Sequence, residues 1–201
     1  DWSSDVCSSD LTYMVDNTQI FIIACITILY FILPAYVSNG SALVLGGGIP
    51  LDFKKTDKNG NRWIGNGVTW RGLICGTIMG TLIGAIQGLI GPIILENFGE
   101  FIYTPICTNL VEGILIGFLL GFGAMVGDAI GSFLKRRVGI GQGKPAPILD
   151  QIDFLIVALI FSSVAVNFSI TFVAIAIVLT LIIHLIANTG AYLIGIKDVW
   201  Y

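Results

Sequence analysis

Three aspartates in the second half of the chain have the residue type and spacing of a metal site. Asp150 and Asp153 are three positions apart at the start of an apolar run, so their carboxylates point to the same side of a helix. Asp128 ends an earlier apolar run and is expected to face them. Hard oxygen ligands at a membrane surface suit Mg²⁺, which is usually shared between one or two carboxylates and substrate phosphates. The three acids therefore predict a magnesium site, while the alternative for Asp150 and Asp153 is a pair of N-terminal helix caps.

A basic run stands between these acids. Lys135, Arg136 and Arg137 supply positive charge that suits phosphate oxygens, although the same run is also typical of an ordinary anchor on the inner membrane face. The glycine-rich stretch that follows is not a nucleotide-binding P-loop. That pattern requires glycine where Val138 stands and Ser or Thr where Pro145 stands.

The elements that must position these residues are membrane helices. Of the 201 residues, 55% are hydrophobic and 11% are charged, which is outside the range of water-soluble domains. Residues 154–194 carry no charge and, as one helix, would be about twice as long as the ~30 Å hydrocarbon core, so they must fold back near residues 167–169. The sequence therefore predicts an all-α integral membrane protein with about five transmembrane helices, the other three lying within residues 20–37, 72–95 and 110–126.

The distribution of charge predicts the orientation in the cell membrane. With five spans, all ten Lys and Arg residues fall on one side, which the positive-inside rule makes cytoplasmic. The amino terminus is then outside and the carboxyl terminus is cytoplasmic. Two inner loops, residues 38–71 and 127–151, form a small cytoplasmic cap.

The domain organisation is predicted to be simple. Residues 14–201 form a single membrane domain that begins at a methionine. Residues 1–13 have neither the basic nor the apolar region of a signal peptide, and they are interpreted as a non-native leader, while an acidic outer tail is the alternative.

Glycines recur every four residues along two of the predicted spans. They are Gly72, Gly76, Gly80, Gly84 and Gly88 in the second span and Gly113, Gly117 and Gly121 in the third. Residues four apart share a helix face, and small residues let two backbones approach closely. The second and third helices are therefore expected to pack together, while a glycine-lined substrate path is the alternative.

The first inner loop has two turn signals. Gly46, Gly47 and Gly48 are consecutive, which allows backbone N–H groups to curve around an anion but is also common in flexible turns. Residues 57–60, Asp-Lys-Asn-Gly, predict the tip of a hairpin. His184 and Asn188, one turn apart in the last span, are polar groups within a membrane segment, where function or an interhelical hydrogen bond is expected.

The second loop resembles the signature of the CTP-dependent phosphatidate cytidylyltransferases. In that signature a Gly-Asp pair is followed by Ser, by Lys-Arg and by a closing Asp-x-x-Asp. The matching residues are Gly127, Asp128, Ser132, Lys135, Arg136, Asp150 and Asp153.

The archaeal branch of these enzymes, the CDP-archaeol synthase family, is more similar over residues 14–201. The additional matches are Asn39, the Gly-Gly-Gly-x-Pro-x-Asp segment that ends at Asp52, Thr69-Trp70-Arg71-Gly72, and His184 with Asn188. The chain departs from the family pattern before Trp70, where Asn66 and Val68 replace an acid and a lysine. If that lysine contacts a phosphate in relatives, its role here is vacant or is taken by Arg71 or Lys144.

The resemblance implies a Mg²⁺-dependent nucleotidyltransferase that transfers CMP from CTP to a lipid phosphate of the inner leaflet and releases pyrophosphate. Asp128, Asp150 and Asp153 are then the metal ligands, and with Lys135 and Arg136 they form the catalytic set. The residues expected to contact nucleotide or headgroup are Asn39, Asp52, Arg71, Ser132 and Lys144. The expected partners are CTP, the lipid substrate and membrane lipids, with no nucleic acid, and the oligomeric state is left open.

The main alternative is a small-solute transporter, which would suit glycine-rich spans and an intramembrane histidine. A transporter places its ionisable residues near the bilayer midplane, whereas this chain places most of them in the inner loops. A CDP-alcohol phosphotransferase is disfavoured because its Asp-Gly-x-x-Ala-Arg pattern is absent from the sequence. A scaffold protein would not require the three clustered acids.

Overall fold

A computed structural model of the chain describes residues 17–58, 60, 62–102, 104–142, 144 and 146–195. The predicted leader, residues 1–13, lies outside the described residues, as does Lys197, which was assigned to the inner face.

Five α-helices form the described part of the chain. They are α1 (Asn17–Leu45), α2 (Trp70–Phe98), α3 (Leu110–Arg137), α4 (Leu149–Ser162) and α5 (Ile170–Leu193), with one 3₁₀ turn at Gly99–Phe101. Within the described ranges, β pairing is limited to two isolated bridges, Pro50 with Thr69 and Thr56 with Arg62. The prediction of an all-α fold is confirmed.

Four of the helical segments are long and apolar enough to cross a membrane. They are Thr18–Leu45, Trp70–Phe101, Leu110–Arg137 and Ile170–Gly190. Helix α4 has 14 residues and is therefore ~21 Å long, shorter than a hydrocarbon core. Residues 163–169 separate α4 from α5, so the long apolar run folds back where the polar residues predicted a break.

Two helices extend further than the sequence predicted. Helix α1 continues to Leu45, so the first connecting segment begins at residue 46 rather than 38. Helix α3 continues to Arg137, so the second connecting segment is 138–148 rather than 127–151. Ser38 was read as a loop residue because it is polar, but its Oγ donates a hydrogen bond to the Gly121 carbonyl oxygen of α3 at 2.9 Å. A neighbouring helix thus accommodates the polar residue without ending α1.

Helices α2 and α3 pack through their glycines. A Cβ atom on Gly80 would lie 2.8 Å from the Cα of Gly121, and one on Gly88 would lie 2.6 Å from the carbonyl oxygen of Asn109. These distances are too short for any side chain, so the prediction that the two glycine faces meet is confirmed. Another face of α3 packs equally closely on α4, where a Cβ on Gly123 would lie 2.7 Å from the Cα of Ala158. Helix α3 is therefore held between α2 and α4.

The two connecting segments predicted to be cytoplasmic contact each other. Arg137 Nη1 lies 3.1 Å from Asp57 Oδ2, and its guanidinium carbon lies 5.6 Å from the ring centre of Trp63 and 4.9 Å from that of Phe133. These contacts join the end of α3 to the hairpin of the first segment. Both segments therefore lie on the same side of the helices, as the distribution of charge predicted.

Candidate active site

Asp128 and Asp153 come together where α3 passes the first turns of α4. The Asp153 carboxylate lies against Gly131, where a Cβ atom would overlap its Oδ2, and Gly131 is one helical turn after Asp128. A Cβ on Gly127 would lie 2.5 Å from the carbonyl oxygen of Asp153, so glycine is also required at this second point of contact. Two glycines thus allow α4 to bring Asp153 to the Asp128 side of α3.

Asp150 is engaged in a different way from the other two acids. Its Oδ1 lies 2.7 Å from Lys135 Nζ, and its Oδ2 accepts a hydrogen bond from the backbone N–H of Ala146 at 2.9 Å. The Lys135 side chain is 15% exposed. The charges of Asp150, Asp153 and Lys135 are all close enough to act on Asp128. The four groups therefore form one electrostatic cluster.

The cluster fits a divalent cation only in part. Within the part of the chain that the structure describes, no three His, Cys, Asp or Glu side chains are arranged around one point as metal ligands. Asp150 instead neutralises Lys135. Asp128 and Asp153 remain as two neighbouring carboxylates, which is the number that Mg²⁺ commonly takes from a protein when phosphates supply other ligands.

A small cavity is lined in part by Asp128. It has a volume of about 50 Å³, and its lining includes Asn39 of α1, Thr69, Gly72 of α2, and Asp128. This volume suffices for an ion or water but is far below the ~300–1,000 Å³ of sites that enclose small molecules. The cavity brings together two predicted site residues, Asn39 and Asp128, that are 89 positions apart in the chain, since 128 − 39 = 89.

Thr69 shapes this cavity, although the sequence analysis gave it no role. Its Oγ1 accepts hydrogen bonds from the backbone N–H of Gly72 and from that of Gly47, both at 3.1 Å, so it caps α2 and holds the triglycine turn. Gly47 and Gly48 have φ angles of 105° and 81°, which explains why glycine is needed there. The N–H of Gly47 points to protein rather than to an anion. A threonine directly before an apolar run is a helix-start signal that identifies this role.

Asp52 organises the first connecting segment. Its side chain is 3% exposed, and its Oδ1 lies 2.6 Å from Arg62 Nη2. The backbone N–H groups of Lys54, Ile64 and Gly65 donate to its carboxylate at 3.0 to 3.1 Å. Burial raises the pKa of Asp52, but the hydrogen bonds from Arg62 and from these backbone groups lower it more, so its net pKa lies well below the ordinary range. Contact of Asp52 with substrate stays a prediction.

The other predicted contact residues are distributed around the cluster. Arg136 donates from Nε to the Ile64 carbonyl oxygen at 3.3 Å and from Nη1 to the carbonyl oxygen of Ile140, so it joins the two connecting segments. Ser132 is half-buried on α3, one turn after Asp128, and Arg71 and Lys144 are exposed. Their roles towards substrate stay predictions.

Two further arginines have structural roles here: Arg62, for which the sequence predicted no role, and Arg137, which was predicted to supply charge to phosphate oxygens or to act as a membrane anchor. Arg62 pairs with Asp52, and Arg137 pairs with Asp57. The first pair was open to prediction, because the two residues flank the predicted hairpin tip. The Arg137–Asp57 pair depends on how the end of α3 packs against the hairpin, which no local sequence pattern predicts.

His184 lies among aromatic rings. Its ring centre is 6.2 Å from that of Tyr36 and 5.8 Å from that of Phe154, the residue after Asp153. Tyr36 in turn donates a hydrogen bond to Thr180 Oγ1 at 2.8 Å. His184 therefore takes part in packing α5 against α1 and α4.

Comparison with known proteins gives one consistent result. A family model described as CarS-like, CDP-archaeol synthase, matches residues 20–201. CDP-archaeol synthase from Methanothermobacter thermautotrophicus is 49% identical over 92% of this chain and 99% of its own length. CDP-archaeol synthase from Methanocaldococcus jannaschii is 46% identical over 86% of this chain and 95% of its own length.

A solved structure also resembles the fold. It is described as an intramembrane enzyme for archaeal membrane lipids biosynthesis, and it superposes with a TM-score of 0.67 at 32% identity. The match covers 80% of this chain and 91% of the other. The helical arrangement described above is thus shared with a membrane enzyme.

Proposed function

The chain belongs to the CDP-archaeol synthase family, and we propose that the cluster at the inner ends of α3 and α4 transfers CMP from CTP to an archaeal ether-lipid phosphate, 2,3-bis-O-geranylgeranyl-sn-glycerol 1-phosphate. The chain is a multi-pass membrane cytidylyltransferase. A small-solute transporter finds no support among its relatives. The single observation that carries the assignment of the site is the grouping of Asp128, Asp153, Asp150 and Lys135 where the helices meet the connecting segments.

The reaction needs no covalent enzyme intermediate. An oxygen of the lipid phosphate attacks the α-phosphorus of CTP, a new P–O bond forms, and the bond from the α-phosphorus to the bridging oxygen breaks to release pyrophosphate. A phosphomonoester has a second pKa of about 6, so the nucleophile is already largely ionised at neutral pH. The site must therefore align two anionic substrates and neutralise their charge rather than remove a proton.

Asp128 and Asp153 are the proposed magnesium ligands, with Asp150 as the predicted third. Magnesium, when bound, would neutralise and orient the phosphates of CTP. Support comes from the chemistry of the two carboxylates. They are neighbours, neither forms an ion pair with a described basic side chain, and such a pair of oxygen donors suits a hard divalent cation. Asp150 is ion-paired with Lys135, so its role as a ligand requires that pair to open.

Basic side chains around the acids are proposed to hold the phosphates. Lys135 is a member of the cluster, and its ion pair with Asp150 fixes the position of its ammonium group. Arg136 lies at the junction of the two connecting segments, where its guanidinium group donates hydrogen bonds to two carbonyl oxygens. Asn39, Asp52, Ser132, Lys144 and Arg71 are proposed to complete the nucleotide and headgroup contacts.

The proposed orientation places this site on the cytoplasmic side, with the amino terminus outside. Every Lys and Arg among the described residues belongs to the two connecting segments or to the helix turns next to them. The positive-inside rule assigns such a face to the cytoplasm, where CTP is available.

Pyrophosphate release tests the proposal. Full-length protein in detergent, given CTP, Mg²⁺ and a dialkylglycerol phosphate, should release pyrophosphate. Asp128→Asn should lower the rate by more than about 100-fold, because losing a metal ligand should cost more than losing a residue that only positions a ligand. Glu112→Gln is the matched control, because Glu112 is an acid on the same helix that lies at the outer end and accepts from Thr108. Full activity of Asp128→Asn would refute the assignment of the site.

A further inference from the structure

A second, larger cavity lies on the other face of α3 from Asp128. It has a volume of about 600 Å³, and its α3 lining consists of Val126, Ala129, Ile130 and Phe133. These residues recur at intervals of three and four and so share one helix face. Asp128 lies on a different face, about 150° around the helix from the centre of these four residues at ~100° per residue.

The rim of this cavity has the composition of a membrane interface. Phe53 and Trp63 line it and are 60% and 47% exposed, and the ring of Phe53 lies 5.9 Å from that of Trp70. Exposed aromatic residues at the end of a membrane helix are typical of the headgroup level of a bilayer. Lys55, also in the lining, supplies a positive charge at this level. An amphiphile with an apolar body and an anionic end fits these surroundings.

One side chain lines both cavities. Leu73 of α2 lines both the large apolar cavity and the 50 Å³ cavity that contains Asn39 and Asp128. Residues of the first connecting segment line both, Leu51 and Ile64 the first and Val68 and Thr69 the second. The two cavities therefore adjoin at Leu73.

We propose that the large cavity binds an isoprenoid chain of the lipid phosphate, with Leu73 and Ala129 determining which chains are accepted. The inference rests on the proposed function. The headgroup would lie towards Asn39 and Asp128, and the chain would bend past Leu73 to lie along Ala129 and Ile130. The apolar walls favour binding of the chain because its hydrocarbon surface is buried away from the polar headgroup region. The small side chain of Ala129 leaves the space that a branched chain needs.

Chain-length discrimination tests this assignment. The rates of CMP transfer to a digeranylgeranylglycerol phosphate and to dihexylglycerol phosphate are compared in the full-length protein. Ala129→Trp fills the cavity, so the ratio of kcat/KM for the long lipid to that for the short lipid should fall by about 10-fold. Ala187→Trp is the matched control, because Ala187 is an exposed alanine on α5 away from both cavities, and it should leave the ratio unchanged. An unchanged ratio in Ala129→Trp would overturn the inference.

Photolabelling of the unmodified protein is a second test of where the chain binds, and it does not require that any variant folds. A long-chain lipid phosphate with a diazirine in the middle of one chain should label the α3 peptide that contains Ala129 and Ile130. Labelling at Leu43 of α1, which lines the small cavity and is 84% exposed, would instead place the chain on the other side and overturn the inference. Absence of transfer to either lipid would refute the proposed function, whereas α3 labelling would still report binding in the cavity.

Discussion

The carboxylate of Asp153 on α4 rests directly on Gly131 of α3, at the place where any other residue would have its Cβ atom. A glycine on one helix thus sets the position of an acid on the next. Gly131 is one helical turn from Asp128, so the contact also brings Asp153 close to Asp128. The distance between α3 and α4 and the arrangement of the two acids therefore both depend on the contact at Gly131.

We expect Gly131→Ala to reduce activity more than stability. The added methyl would overlap the carboxylate, which is the movable end of a side chain, so Asp153 should rotate away while the helices stay packed. Loss of a correctly placed partner at a metal site lowers affinity or activity by about 10–100-fold. The measurement is the Mg²⁺ dependence of CMP transfer, beside the melting temperature. Gly190→Ala on α5, where nothing lies within 4 Å of the new Cβ, is the control. Normal Mg²⁺ dependence in Gly131→Ala would contradict the role of this contact.

Replacing both members of the Lys135 and Asp150 pair should separate stability from catalysis. Lys135→Asp and Asp150→Lys each place two like charges together and should lower the melting temperature. The double replacement restores an ion pair with the two charges exchanged between positions 135 and 150, so the melting temperature should recover. CMP transfer should stay low, because the ammonium group no longer lies on the α3 side of the cluster. Recovery of transfer together with stability would show that the pair is only structural.

Asp52 should make the first connecting segment sensitive to acid. Its pKa is lowered in the folded protein, so its contribution to stability is complete above the ordinary value of ~3.9 and is lost as the pH falls through the lowered folded value. Asp52→Asn removes the charge that Arg62 and the backbone N–H groups contact, and breaking such a buried pair costs about 3 kcal/mol.

The measurement for Asp52 is thermal unfolding in detergent at pH 7 and at pH 3. The variant should melt lower than the wild type at pH 7, and the difference should be smaller at pH 3, where the wild-type carboxylate begins to lose its advantage. Arg62→Lys keeps a positive charge and should lie between the two. Equal melting temperatures of wild type and Asp52→Asn at pH 7 would contradict the prediction.

Gly84→Leu should separate α2 from α3. A Cβ on Gly84 would overlap the Gly117 backbone, and backbone atoms cannot move aside as a side chain can. Overpacking of this kind costs about 1–3 kcal/mol or more, so the melting temperature should fall. Gly99→Leu, at the C-terminal end of α2 with nothing within 4 Å of its Cβ, controls for the larger side chain. If both variants melt alike, the glycine faces do not hold the helices together.

Much of the architecture follows from composition and spacing alone. The apolar runs are long enough that helices spanning a bilayer are the stable way to satisfy their backbone groups, and the Lys and Arg residues mark two polar segments on one side. The every-fourth glycines predicted the contact of α2 with α3. Helix ends were less predictable, because Ser38 looks like a loop residue until its hydroxyl finds the Gly121 carbonyl oxygen.

The sequence by itself determined the membrane class and the number of helices, because these depend on residue type and local period, and it predicted which acids and bases a phosphate-transferring site would use. Only the tertiary structure decided how those groups are divided: Asp150 with Lys135, and Asp153 on Gly131 beside Asp128. This division is set by the close packing of helices, which no local pattern encodes.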